Sequence, residues 1–317
     1  MQRLADWRGR GWRRCALLLV TLALTGAAHA HIDTTSRRQQ GTLRVPRPEH
    51  ARLASLGFDA AVADYYWLRA LELVGGENGP VEAHGPIIAS LIETVTGIDP
   101  WVDHPYRFAA LWLTRDSEMV RRGNKLLERA ISHHPQDWRN HYHLGFNRFF
   151  YLQEDLAAAD ALEPAIDLKG APKYLAPLVA RLRSKRAGLE VAGAFLERIA
   201  NSTQDEYKRA EYLKALDEIQ IEERARFLDQ AREEYWRRKG RDIRQVSDLL
   251  EGPNPVLKEL PRAQLRLDGF EWLLDPESGQ IVSSFYGSRY ELHVTATDRA
   301  RQERWRSQRE SSEGAGS

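Results

Sequence analysis

Imidazoles crowd one short stretch. His133, His134, His141 and His143 fall within eleven positions, the first two just before Pro135 and the second two just after it. Neutral imidazole ligates zinc and copper, and side chains brought together across a turn can share one ion. On a helix, however, His141 and His143 point to different sides, and no cysteine or clear carboxylate completes the set. A histidine-cluster metal site on these four residues is therefore an alternative rather than the main reading. Covalent haem of the usual kind is excluded, because there is no Cys-x-x-Cys-His sequence.

The search for reaction chemistry is mostly negative. The chain has no G-x-S-x-G elbow, no H-E-x-x-H helix and no glycine loop of the phosphate-cradling kind. Acidic pairs such as Glu222-Glu223 and Glu233-Glu234 sit in a strongly charged stretch, where a solvated helix face is the ordinary explanation. An exported enzyme with a carboxylate-based active site, assembled across helices, is the second hypothesis. A deep pocket with convergent polar groups would mark it. No cofactor is expected.

The elements that would position these residues are helical rods with firm stops. One amphipathic helix ends at 126–134, and Pro135 stops it: proline lacks the N–H a continuing helix needs and biases His134 out of the α region. A second helix starts at Trp138, and its inner face carries Trp138, Tyr142 and Leu144-Gly145, with Gly145 leaving room for a neighbour to come close. The same punctuation recurs at Pro100 and Pro172, 35 residues before and 37 after Pro135. That period fits a helix, a turn and a second helix.

Periodicity predicts further helices at 60–73, 80–97, 103–116, 118–133, 138–151, 155–168, 173–184 and 189–200. The first is apolar on most sides and should be buried on most sides. Pro164 should kink the sixth, and Gly188 should hinge the last two. A long charged helical region at 206–236 is expected to break near Gln220. Strand-like runs at 271–274 and 281–284 flank a turn at 275–280 and read as a β-hairpin, with 290–294 offering a third strand. The fold class is thus mostly α with a small C-terminal β-hairpin element.

The first thirty residues carry an export signature. Arg3, Arg8, Arg10, Arg13 and Arg14 precede an apolar run at 15–27, and Ala28-His29-Ala30 offers small residues for cleavage after Ala30. The run is shorter than the roughly 20 residues a membrane span needs, and an uncleaved inner-membrane anchor is the alternative. Removal of the leader takes away those five arginines and Asp6, so the formal charge of +1 becomes −3. No basic excess is left for nucleic acid. Cys15, the only cysteine, leaves with the leader. The domain plan is a signal peptide at 1–30, a flexible lead-in at 31–48, a helical repeat domain at 49–239, a small α/β element at 240–296 and a disordered tail at 297–317.

The helix pairs resemble the tetratricopeptide repeat (TPR). With Pro135 closing one 34-residue repeat, Gly123, Leu127 and Ala130 take the small, large and small positions of its second helix. The next repeat begins at Trp138 and has Leu144-Gly145 at its leucine-glycine position. After one extra residue come Phe149, Ala158, Leu162 and Ala165. Leu111 stands where the preceding repeat would have glycine, and Pro164 is atypical.

The resemblance implies an α-solenoid of stacked helix hairpins, whose concave groove is lined by the first helix of each pair. That surface would contain Phe108, Trp112 and Arg115 from one repeat and Arg139, Tyr142 and Phe146 from the next. The carboxylate-clamp variety would want lysine and asparagine where this chain has Phe108 and Tyr142, so a free acidic C-terminus is not the expected ligand. The implied function is a non-enzymatic scaffold or adaptor, periplasmic or secreted, for partner proteins of cell-envelope assembly or secretion. Membrane contact is expected only through an uncleaved leader or the 60–73 helix.

Overall fold

A computed structural model describes residues 45–75, 84–291 and 296–314, together with Val20, Thr21 and Ala23. The chain divides into two units, Met1–Val45 and Pro46–Ser317, and the fold below is that of the second. The signal peptide expected at 1–30 and the lead-in at 31–48 lie almost wholly outside the described residues. Among the described residues no helix is long and apolar enough to cross a membrane.

Pro48 opens helix α1 (Pro48–Ala54), where its missing N–H costs nothing. Leu56 and Gly57, at φ +50° and +92°, turn the chain into α2 (Asp59–Gly75). Helix α3 (Gly85–Ile98) is apolar nearly all round and accordingly buried, with Ile88, Leu91 and Ile92 fully covered. Gly97 near its end faces the Pro48 ring, and a methyl group there would collide with it.

Six helices follow in close succession: α4 (His104–Trp112), α5 (Ser117–His133), α6 (Trp138–Phe150), α7 (Asp155–Leu162), α8 (Leu175–Ala187) and α9 (Leu189–Ser202). Pro100, Pro135 and Pro172 fall in the α3–α4, α5–α6 and α7–α8 turns, each shortly before a helix begins. Aspartate carboxylates start two of the helices: Asp116 accepts from Met119 N and Asp137 from Arg139 N. Consecutive helices pack on one another, and α4 also touches α6. The described fold is thus mostly helical, built from packed neighbours, with one small antiparallel sheet.

Helix α10 (Glu206–Lys239) runs unbroken for 34 residues, against the expected break near Gln220. The apolar stripe changes partners there without the backbone breaking. Tyr212, Ala215 and Ile219 close a core with α8 and α9, whereas Ile221, Ala225, Leu228 and Tyr235 belong to a separate core with the C-terminal segment. Pro164 likewise ends a helix instead of kinking one: α7 stops at Leu162 and a 3-10 turn takes over at Glu163–Ala165. There the missing N–H falls at the start of a new turn, where none is needed.

The hairpin forms as its sequence indicates. Strands β1 (Trp272–Leu274) and β2 (Ile281–Ser283) pair antiparallel, with Leu273 opposite Val282. Gly279, at φ +66°, closes the turn by donating its N–H to Asp275 O. So small a sheet needs backing, and the second half of α10 supplies it. The expected third strand at 290–294 lies partly outside the described residues; Tyr290 and Glu291 within it are coil.

Two further expectations change. Helix α2 is not buried on most sides: Ala63 and Ala70 are covered, while Tyr65 and Leu68 stand in solvent, because α3 covers only one face. The tail expected to be disordered contains helix α11 (Ala296–Gly314). Trp305 gives it an anchor on the body that the tail's charged composition hides.

Candidate functional site

Aromatic residues at four-residue spacing share one face of a helix, and α6 carries four of them. The ring centroids of Trp138 and Tyr142 are 6.0 Å apart, those of Tyr142 and Phe146 6.3 Å, and those of Phe146 and Phe150 5.1 Å with nearly parallel planes. Tyr151 then meets Phe150 edge-on at 5.0 Å. Offset and edge-on contacts of this kind suit the ring quadrupoles and stiffen the row. At the other end the Arg139 guanidinium lies 5.0 Å from the Trp138 ring centroid, a cation–π contact. Burial, and then Tyr142 beside it, hold the Tyr174 hydroxyl above its usual 10.

A second aromatic group comes from α4 and α2. Trp67 meets His104 at 4.9 Å and Phe108 at 5.0 Å, both edge-on, and Phe108 reaches Trp112 at 5.9 Å. Phe108 is therefore half-buried against α2, while Trp112 remains 40% exposed.

Charged and amide groups fix α4, α5 and α6 relative to one another. Arg107 of α4 donates 2.8 Å bonds to Asp103 and to Asp137, and Asp137 is also the cap of α6. One carboxylate thus couples the start of α6 to the middle of α4. The Arg107 bond outweighs burial and holds the Asp103 carboxyl below the usual range. Between α5 and α6, buried Asn147 donates to buried Asn124 at 3.0 Å.

The six expected groove residues lie on α4, on α6 and in the turn after α4. Phe108 and Trp112 share α4, and Tyr142 and Phe146 share α6. Arg139 lies in the first turn of α6, and Arg115, paired with Asp116 at 2.8 Å, lies in the α4–α5 turn. Four residues in contact with this aromatic row and its neighbours were missed, and two of them, Phe150 and Tyr151, are buried. Phe150 continues the four-residue spacing of Tyr142 and Phe146, a signal present in the sequence, and Tyr151 follows it directly. Trp67 and Trp305 arrive from distant segments and carry no local signal.

The histidines are not gathered into one site. His133 and His134 face the Trp101 ring at 5.4 and 6.1 Å. His141 is buried with Nδ1 3.2 Å from Ala161 O, and His143 lies on the other side, near Arg107. Among the described residues no three His, Cys, Asp or Glu side chains come close enough to hold a metal ion. The four imidazoles thus do not share one place: two are ring contacts at a turn and one is a core group bonded to a carbonyl.

A polar cavity of about 210 Å³ opens elsewhere, between α8, α10 and the segment after β2, lined by Arg181, Glu218, Glu222, Tyr286, Arg289 and Tyr290. Arg289 grips Glu222 with two bonds of 2.8 and 2.9 Å and reaches Asp229 at 2.7 Å. Burial pushes the Glu222 carboxyl up, but the Arg289 and Arg226 bonds more than offset this and leave it below its usual value. A carboxylate held ionised by two guanidiniums clamps the segment well and donates protons poorly. Tyr290 Oη and Arg181 Nε are buried beside it without a hydrogen-bond partner among the described residues. No family model, no curated protein and no solved structure matches this chain.

Proposed function

We propose that this chain is an exported, non-enzymatic scaffold of the tetratricopeptide-like, α-solenoid kind, which binds partner proteins of the cell envelope or secretion apparatus on the aromatic face of α4 and α6. The observation that carries the reading is the row of half-buried rings in contact from Trp138 through Tyr142 to Phe146. Tyr174 beside Tyr142 is 50% exposed, and Trp112 next to Phe108 on α4 is 40% exposed. Rigid rings bury large area on binding with little loss of side-chain freedom, and an arginine at the rim adds directed hydrogen bonds. The equivalent positions of Pro100, Pro135 and Pro172 and the close approach of α7 at Gly145 support the repeat architecture.

On this reading the mechanism is equilibrium recognition in a preformed groove, with no covalent step. The β1–β2 element is a cap that covers the apolar stripe of the second half of α10. The export reading rests on the leader and places the scaffold in the periplasm or outside the cell, with an inner-membrane anchor as the alternative.

The test is a pull-down from envelope extract comparing wild type with the Tyr142→Ala, Arg139→Ala double variant. Proteins retained by wild type and lost by at least tenfold in the variant support the groove. Equal recovery of every bound protein by both removes it.

A further inference from the structure

The row of rings on α6 ends in a filled pocket, and the occupant comes from the far end of the chain. Trp305 of α11 lies against the Tyr151 ring, with centroids 5.8 Å apart, and its indole Nε1 donates a 3.1 Å hydrogen bond to the Thr114 carbonyl oxygen. Val120, Phe150, Tyr151 and Leu152 form the buried floor, and Phe146, Phe149 and Trp305 pack on it. Thr114 follows the C-terminal end of α4 and Tyr151 follows that of α6. Trp305 therefore bridges the two helices whose aromatic residues make up the candidate groove. The carbonyl is free to accept because the turn at 113–116 directs its hydrogen bonding elsewhere: Leu113 N closes α4 on Ala109 O, and the Asp116 side chain caps α5.

The pocket matches an indole on both counts that matter. It offers an apolar, ring-lined wall for the bicyclic body and one backbone acceptor for the single N–H, which needs a partner when buried. Apart from this anchor α11 is strongly polar: Arg304 and Arg306 flank Trp305, and both are exposed, as are Glu303 and Ser307. A helix with so little apolar surface depends on its one aromatic side chain for apolar contact with the body.

We propose that this pocket is a binding site for a tryptophan presented on a polar helix, and that α11 is its resident occupant. Trp305 then holds one end of the groove shut, and a partner carrying a helix-borne tryptophan gains entry by displacing it. The inference rests on the groove reading above and names the class of partner that would use its α4–α6 end.

The experiment uses the full chain and a fluorescein-labelled synthetic peptide of residues 296–314. Fluorescence anisotropy, with peptide concentrations to the millimolar range in a heteronuclear NMR titration, compares wild type with the Trp305→Ala chain. Vacating the pocket should tighten peptide binding by at least tenfold, and a peptide with the same Trp305→Ala change should bind neither chain. Tyr151→Ala added to the vacated chain should abolish the gain. In the same chains, tryptic cleavage within 299–309 should speed up at least tenfold for Trp305→Ala and for Tyr151→Ala, as α11 leaves the body. Equal peptide binding by both chains, no binding by the vacated chain, or unchanged cleavage rates each overturn the proposal. No extract partner enters these readouts, so their failure is separate from failure of the pull-down.

Discussion

Leu162 of α7 lies directly over Gly145 of α6. A methyl group on the glycine would come within 2.7 Å of Leu162 Cδ2 and 3.2 Å of the Ala158 carbonyl oxygen. Leu162 is 1% exposed and Ala158 fully buried, so neither has open space to retreat into. Gly145→Ala should therefore force the two helices apart and cost about 1–3 kcal/mol, the usual range for overpacking. Gly123 of α5 is the control: its nearest neighbours, Ala109 O and Leu113 Cβ, would be 3.5 and 3.6 Å from a new methyl. Gly123→Ala should be neutral or stabilise by up to about 1 kcal/mol through helix propensity. Urea unfolding monitored by circular dichroism separates the two variants, and equal midpoints would refute the packing argument.

The C-terminal segment is clamped to α10 by a buried ion pair, with the Glu222 and Arg289 side chains only 6% and 9% exposed. Removing Arg289 leaves the buried Glu222 carboxylate with only the half-exposed Arg226 guanidinium. Arg289→Met alone should destabilise by up to about 3 kcal/mol, below the range for a fully orphaned buried charge. Glu222→Gln together with Arg289→Met should recover most of the loss, since neither charge then remains. Chemical denaturation of both variants checks this; a double variant no better than the single one would mean that the clamp acts by shape instead of charge.

Acid should weaken the helical body before its carboxylates titrate. Burial holds the His141 ring below its ordinary 6.5, and burial followed by the Arg107 charge does the same for His143. Asp137 opposes the shift in both, and the Ala161 carbonyl also does so at His141. Because the folded-state values are depressed, the unfolded chain takes up protons first as pH falls. The stability these rings contribute is complete above about 6.5 and is lost as pH drops through their folded-state values. Urea midpoints measured from pH 7.5 to 5 should fall in wild type, with a flatter slope in His143→Gln. A slope unchanged by that substitution would show that His143 is not among the groups responsible.

Much of the fold was set by local chemistry and was legible as such. A missing N–H at Pro100, Pro135 and Pro172 keeps those positions out of a helix interior, and a glycine at 145 between large apolar residues marks a close crossing. The 275–280 turn between two apolar runs gives the β1–β2 hairpin by the same local logic. The candidate site was half legible: Tyr142 and Phe146 came from the repeat resemblance, and Phe150 lies at the same four-residue spacing on α6.

Tertiary structure decided the rest, because coverage of a helix face depends on segments that no local pattern identifies. Helix α10 stays whole since a second core takes over its stripe at Ile221. Phe108 is half-covered because Trp67 comes from α2, and the four histidines diverge because their backbones face different neighbours. Trp305 reaches Thr114 across 191 residues of sequence. Composition shows that its helix is charged; only the folded chain brings its single indole to the one carbonyl and ring wall that receive it.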